Sequence, residues 1–69
     1  MSEKSWNTPV LKIGEEITST IRGFDLAISH VDRRVDPYLA AVIKSGKIIA
    51  TGLCVDLPAA RRFCAKFIQ

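Results

Sequence analysis

Apolar residues recur most regularly in the second half of the chain. Residues 38–44 read Tyr-Leu-Ala-Ala-Val-Ile-Lys, residues 47–55 read Lys-Ile-Ile-Ala-Thr-Gly-Leu-Cys-Val, and only Ser45-Gly46 separates them. Two β-rich runs joined by two residues, one of them glycine, predict a tight hairpin, because such a turn needs the positive φ that glycine adopts at little cost. Closing it on Ser45-Gly46 pairs Ile43 with Ile48, Ala41 with Ala50 and Leu39 with Gly52. The opposite face then holds Val42 with Ile49, Ala40 with Thr51 and Tyr38 with Leu53. Both faces are substantially apolar, more than two short helices can cover. The uncovered face, with Tyr38, Ala40, Val42, Ile49, Thr51 and Leu53, is the expected protein-binding surface. The competing reading is that small side chains such as Ala40 and Thr51 make that face tolerable in water.

A closing helix is expected from Asp56, a good N-cap, with Pro58 in its first turn. Ala60, Phe63, Cys64 and Phe67 recur at the spacing of one helical face, and Arg61, Arg62 and Lys66 occupy the wetter side. In the first half, Thr8-Pro9 resembles a helix start, and Val10, Ile13, Ile17 and Ile21 follow at intervals of three and four up to a stop at Gly23. Gly14 and Thr18-Ser19-Thr20 are poor helix formers, so a strand over residues 17–21 is the rival reading. Phe24, Leu26 and Ile28 alternate with Asp25, Ala27 and Ser29 as in a half-buried strand, although Phe24, Ala27, Ile28 and Val31 also fit helical spacing. The charged run 32–37, ending in Pro37, reads as a surface loop. The expected fold class is therefore α+β: helix, three-stranded antiparallel sheet, helix (α-β-β-β-α), in one small domain over residues 8–69 behind a flexible tail over residues 1–7.

Composition narrows the function classes. The chain has 69 residues, 48% of them hydrophobic, which is ample for a core and argues against disorder. No apolar run reaches the roughly 20 residues needed to cross a bilayer, and Met-Ser-Glu-Lys-Ser-Trp lacks the apolar stretch of a secretory signal. A cytoplasmic protein without a membrane role is the expectation. The net charge of +3 is compatible with a nucleic-acid partner and with many other small domains. Cys54 and Cys64 are expected to be reduced core residues, a disulfide being the alternative. One histidine and no CxxC pair leave zinc without ligands, and the glycines form no phosphate-cradling loop. A pairing of His30 with either cysteine runs against thiol burial, and adjacent Glu15-Glu16 point apart on a helix. No catalytic site, metal, cofactor or small-molecule substrate is expected.

The expected order of elements resembles the double-stranded RNA-binding domain. Thr8-Pro9-Val10 is similar to that family's first-helix opening, Gly46-Lys47-Ile48-Ile49-Ala50-Thr51-Gly52 to its second hairpin and third strand, and Ala60-Arg61 with Ala65 to its last helix. The resemblance implies RNA gripped by a lysine pair at the start of the last helix, facing phosphates across the major groove. Leu57 and Pro58 stand at those positions, preceded by Asp56, whose carboxylate repels phosphate. His30 precedes the loop 32–37 and does not match the family's groove-reading histidine, while Glu15 or Glu16 stands near a groove-contacting glutamate. A domain of this shape without the lysines is expected to bind protein. Two functions follow. The first is a small non-enzymatic regulatory or inhibitory protein-interaction module, self-associating as a homodimer through its apolar sheet face. The alternative is an RNA- or DNA-binding module using Arg33, Arg34, Lys44, Lys47, Arg61, Arg62 and Lys66.

Overall fold

The computed structural model describes residues 5–68. Four strands, β1 (Glu16–Ile21), β2 (Phe24–His30), β3 (Tyr38–Lys44) and β4 (Lys47–Cys54), precede one helix, α1 (Leu57–Ala65). The strands form one antiparallel sheet in sequence order, β1-β2-β3-β4. The architecture is thus β-β-β-β-α, which corrects the expected α-β-β-β-α order with three strands. The helix expected from Thr8 to Arg22 is absent, and with it the first helix that the resemblance implies.

The reason lies in two glycines and one alternation. Gly14 has φ +89°, outside the helical region, in a tight turn where the Lys12 N–H donates to Glu15 Oε1 at 2.7 Å and the Glu15 N–H to the Lys12 carbonyl at 2.9 Å. From Glu16 the chain is extended, and Ile17, Ser19 and Ile21 face Ile28, Leu26 and Phe24 across the β1–β2 ladder. Arg22 and Gly23 both have positive φ (52° and 82°), the pattern of a two-residue type I′ hairpin turn. Gly23 therefore closes a hairpin instead of ending a helix. The rival strand reading of residues 17–21 describes the structure, as does the strand reading of residues 24–30.

Ser45 and Gly46 likewise have positive φ (54° and 77°) and close the β3–β4 hairpin at the expected place. Its register departs from expectation after one step. Ile43 pairs with Ile48, but Val42 pairs with Ala50, so Ile49 is an extra residue in β4. This β-bulge shifts every later pair by one, to Ala41–Thr51, Ala40–Gly52, Leu39–Leu53 and Tyr38–Cys54.

Helix α1 starts where expected. Asp56 is the N-cap, and its carboxylate accepts the Ala59 N–H at 2.8 Å. Leu57, Ala60 and Cys64 are buried against one sheet face, with Leu11, Ile17, Leu26, Ile28, Ala40, Val42 and Cys54 completing the core. Phe63 is half-buried and Phe67 exposed, so the expected stripe of Ala60, Phe63, Cys64 and Phe67 is turned toward Leu57. Phe63 rests on Gly52, where a Cβ would lie 2.7 Å from its ring. The tail expected over residues 1–7 falls partly outside the described residues. Within them, Trp6 packs against the core, and the Arg61 guanidinium donates to the carbonyls of Trp6 and Thr8.

Candidate interaction surface

The helix covers the inner face of the sheet and leaves the outer face open. Cross-strand pairing divides that open face in two. On the β1–β2 half the neighbours are Glu16 and Ser29, Thr18 and Ala27, Thr20 and Asp25. Ser29 donates its hydroxyl to Glu16 at 3.2 Å and Thr20 to Asp25 at 2.9 Å, so this half is polar and satisfied by its own bonds. On the β3–β4 half the neighbours are Leu39 and Leu53, Ala41 and Thr51, Ile43 and Ile48. Leu39, Leu53 and Ile48 are 36%, 45% and 65% exposed. Aliphatic side chains in such pairs normally face a core. Here they face outward.

The bulge sets Thr51 and Leu53 of β4 on the same face as Leu39, Ala41 and Ile43 of β3. Of the surface expected from Tyr38, Ala40, Val42, Ile49, Thr51 and Leu53, the structure brings only Thr51 and Leu53 to the open face, beside the exposed Ile49 of the bulge. Ala40 and Val42 are fully buried under α1, and Tyr38 lies on the same inner face, stacked on the His30 ring at 4.6 Å. Leu39, Ile43 and Ile48 belong to the open face in their place. Nothing in the sequence marks Ile49 as an extra residue, since Ile48, Ile49 and Ala50 are interchangeable to a hydropathy pattern.

The open half-face ends at a free edge. β4 is the last strand of the sheet and runs from Lys47 to Cys54 with no charge between its first residue and Asp56. Natural edge strands are usually blunted by charge, proline or a bulge. β4 has the bulge alone. Beside its end an open groove of about 400 Å³ runs under α1, with Val55, Phe63, Asp36, Arg62 and Lys66 in its walls.

The basic residues do not gather. Arg33 and Arg34 sit in the β2–β3 loop, at the end of the sheet opposite the Ser45-Gly46 turn that Lys44 and Lys47 flank. Lys44 places its ammonium 4.7 Å from the Phe24 ring centroid. Arg61 is turned inward onto the backbone of the N-terminal segment. Lys44 and Lys47 pair across the hairpin at one end, and Arg62 and Lys66 share the groove that Asp36 also lines.

The remaining reactive groups serve the core. Cys54 and Cys64 are buried free thiols. Burial raises the pKa of Cys54, with Asp36 and Asp56 adding to it, and burial next to Cys54 pushes Cys64 up to about 11. His30 donates from Nδ1 to the Leu11 carbonyl, while its backbone N–H donates to Glu15 and its carbonyl accepts from Gly14. It thereby fastens the N-terminal segment to β2. Among the described residues no cluster of three or more His, Cys, Asp or Glu side chains could hold a metal ion, and no helix is long and apolar enough to cross a membrane. Comparison with known protein families, with curated proteins and with solved structures finds no match for this chain.

Proposed function

We propose that the protein is a non-enzymatic protein-interaction module that works through the β3–β4 half of its open sheet face. The observation that carries this reading is the split of that face. One half is polar and internally hydrogen-bonded, while the other presents Leu39, Ile48 and Leu53 to solvent around a half-buried Ile43, next to an edge strand blunted by its bulge alone. A single scattered leucine on a surface is ordinary, but cross-strand aliphatic pairs in one contiguous half-face are a surface with a use. The nucleic-acid reading has less support, because its seven cations are spread over both ends of the sheet and Arg61 is committed to backbone carbonyls.

The test is a Leu39→Ser, Leu53→Ser variant examined beside the native chain by sedimentation in the micromolar range. The native chain is expected to associate and the variant to remain monomeric with an unchanged circular dichroism spectrum. Duplex RNA titrated at low salt is expected to show no binding. Tight RNA binding that weakens steeply with salt, with no effect of the leucine substitutions, would overturn the reading.

A further inference from the structure

We infer that the groove between the end of β4 and α1 is a binding site for a small zwitterion with an apolar body, a free α-amino acid carrying a large aliphatic or aromatic side chain. The site goes beyond the open sheet face and shares only Leu53 with it.

Charges of both signs meet in this groove. Arg62 and Lys66 stand one turn apart on α1, and Asp36 joins them from the β2–β3 loop. Among the described residues, none of these three side chains makes a hydrogen bond or an ion pair. A helix wall and a loop wall of opposite charge that do not reach each other leave a gap. A ligand that closes it brings an anion to the one and a cation to the other. α1 has no acidic residue to relieve the Arg62–Lys66 pair, and like charges one turn apart repel. A carboxylate between them removes that repulsion. Asp56 is spent on the N-cap of α1 and does not line the groove. A simple anion meets Asp36 as a repelling charge, and a simple cation meets Arg62 and Lys66. A zwitterion satisfies all three.

Asp36 is held at this place against its backbone preference. Its φ is +51°, in the left-handed region, directly before Pro37, where the chain is ordinarily extended. Unlike Arg22 and Ser45, it belongs to no two-residue hairpin turn.

Between the charges the surface is apolar, with Leu53, Val55 and Phe63. The volume of about 400 Å³ falls at the small end of ligand sites, which run from about 300 to 1,000 Å³. That space displaces roughly a dozen waters, the scale of one large amino acid.

Titration of the isotope-labelled full chain, followed by its amide resonances, tests the site with phenylalanine, N-acetylphenylalanine, phenylalanine methyl ester and glycine. Phenylalanine is expected to shift the amides of residues 53–55 and 59–66 with a dissociation constant on the order of 1 mM. Blocking its amine or its carboxylate is expected to weaken binding about three- to tenfold. Glycine, which lacks the apolar body, is expected to shift nothing. Asp36→Asn keeps a residue that tolerates positive φ, and it should weaken phenylalanine while strengthening N-acetylphenylalanine. Arg62→Gln should weaken both. Damage to the fold would lower the two affinities together, so the reversed preference marks the charge of Asp36 itself. Several results overturn the inference: no shift at about 20 mM phenylalanine, or shifts confined to another surface. So does glycine bound as well as phenylalanine, N-acetylphenylalanine bound as tightly as the free amino acid, or a preference that Asp36→Asn leaves unchanged.

Discussion

Three residues hold positions for which chemistry leaves few substitutes. Gly52 lies in extended backbone, and what it supplies is space, because a Cβ there would press to 2.7 Å from Cε1 of Phe63. Gly52→Ala is expected to cost about 1–3 kcal/mol by forcing the ring outward. Phe63→Leu should relieve part of that cost, so a double-mutant cycle should return a coupling of at least about 0.5 kcal/mol, and additive costs would deny the contact. Arg61 donates charge-assisted hydrogen bonds to Trp6 and Thr8 across more than fifty residues of sequence. Arg61→Ala should loosen the N-terminal segment and cost about 1–3 kcal/mol. Trp6 is the only tryptophan, so a red-shifted emission reports the release, and unchanged emission would show that the clamp is dispensable. Cys64 holds its proton up to a pKa of about 11 in the folded chain, whereas the unfolded thiol releases it near 9.0. Between those values the folded state binds more protons, so its stability is fully present below the unfolded pKa and falls as pH rises through the window. Denaturation at neutral and at alkaline pH should show that fall, and Cys64→Ala should flatten it despite a cavity cost of about 1–2 kcal/mol.

At the scale of elements, local turn and cap chemistry proved readable, and its ambiguities explain what was not. The Ser45-Gly46 turn, the Asp56 cap and Pro58 each act within a few residues, and each stands where its residue type places it. Asp56→Ala should therefore destabilise α1 by about 1 kcal/mol, measurable as a shift in denaturation midpoint, and Asp56→Asn by far less. Gly23 follows Ile17 and Ile21, a spacing that suits a helical face with a glycine stop and equally the inner positions of a strand with a glycine turn. Only the partner strand decides between them. β2 supplies that partner, placing Leu26 and Phe24 opposite Ser19 and Ile21, and tertiary pairing overrides the helical spacing. The bulge is harder still. One extra residue at Ile49 inverts the face of every later β4 side chain and sets Thr51 and Leu53 beside Leu39, Ala41 and Ile43. On β3 itself the faces are the reverse of expectation: Ala40 and Val42 lie in the core, while Leu39 and Ile43 lie outside. That both faces of the hairpin are apolar was legible. Which face meets water was not, because aliphatic residues occupy both and hydropathy cannot rank them.

For the molecule as a whole, size and the open face act together. A domain of about 60 residues buries only some 60% of its unfolded surface and is marginally stable by itself. This chain places one helix on one face of a four-stranded sheet and leaves the β3–β4 half of the other uncovered. Under the proposed interaction, burial of that half-face between copies would draw on the folded state alone, so association and stability would be linked by mass action. The thermal midpoint of the native chain should therefore rise with protein concentration. At a total concentration one hundred times the dissociation constant, only about 7% of the folded chains would stay monomeric, which adds roughly 1.6 kcal/mol per chain. At roughly 4–8 °C per kcal/mol for a domain this small, the rise is on the order of 10 °C. Replacing Leu39 and Leu53 by serine should make the midpoint independent of concentration, with a lower dilute-limit value, because the two side chains are 36% and 45% exposed and each loses the contacts of its covered part. Differential scanning fluorimetry over a dilution series separates the outcomes. A flat midpoint for the native chain would mean that no folded copy is stabilised by another, and the aliphatic half-face would have to find its cover on a different protein.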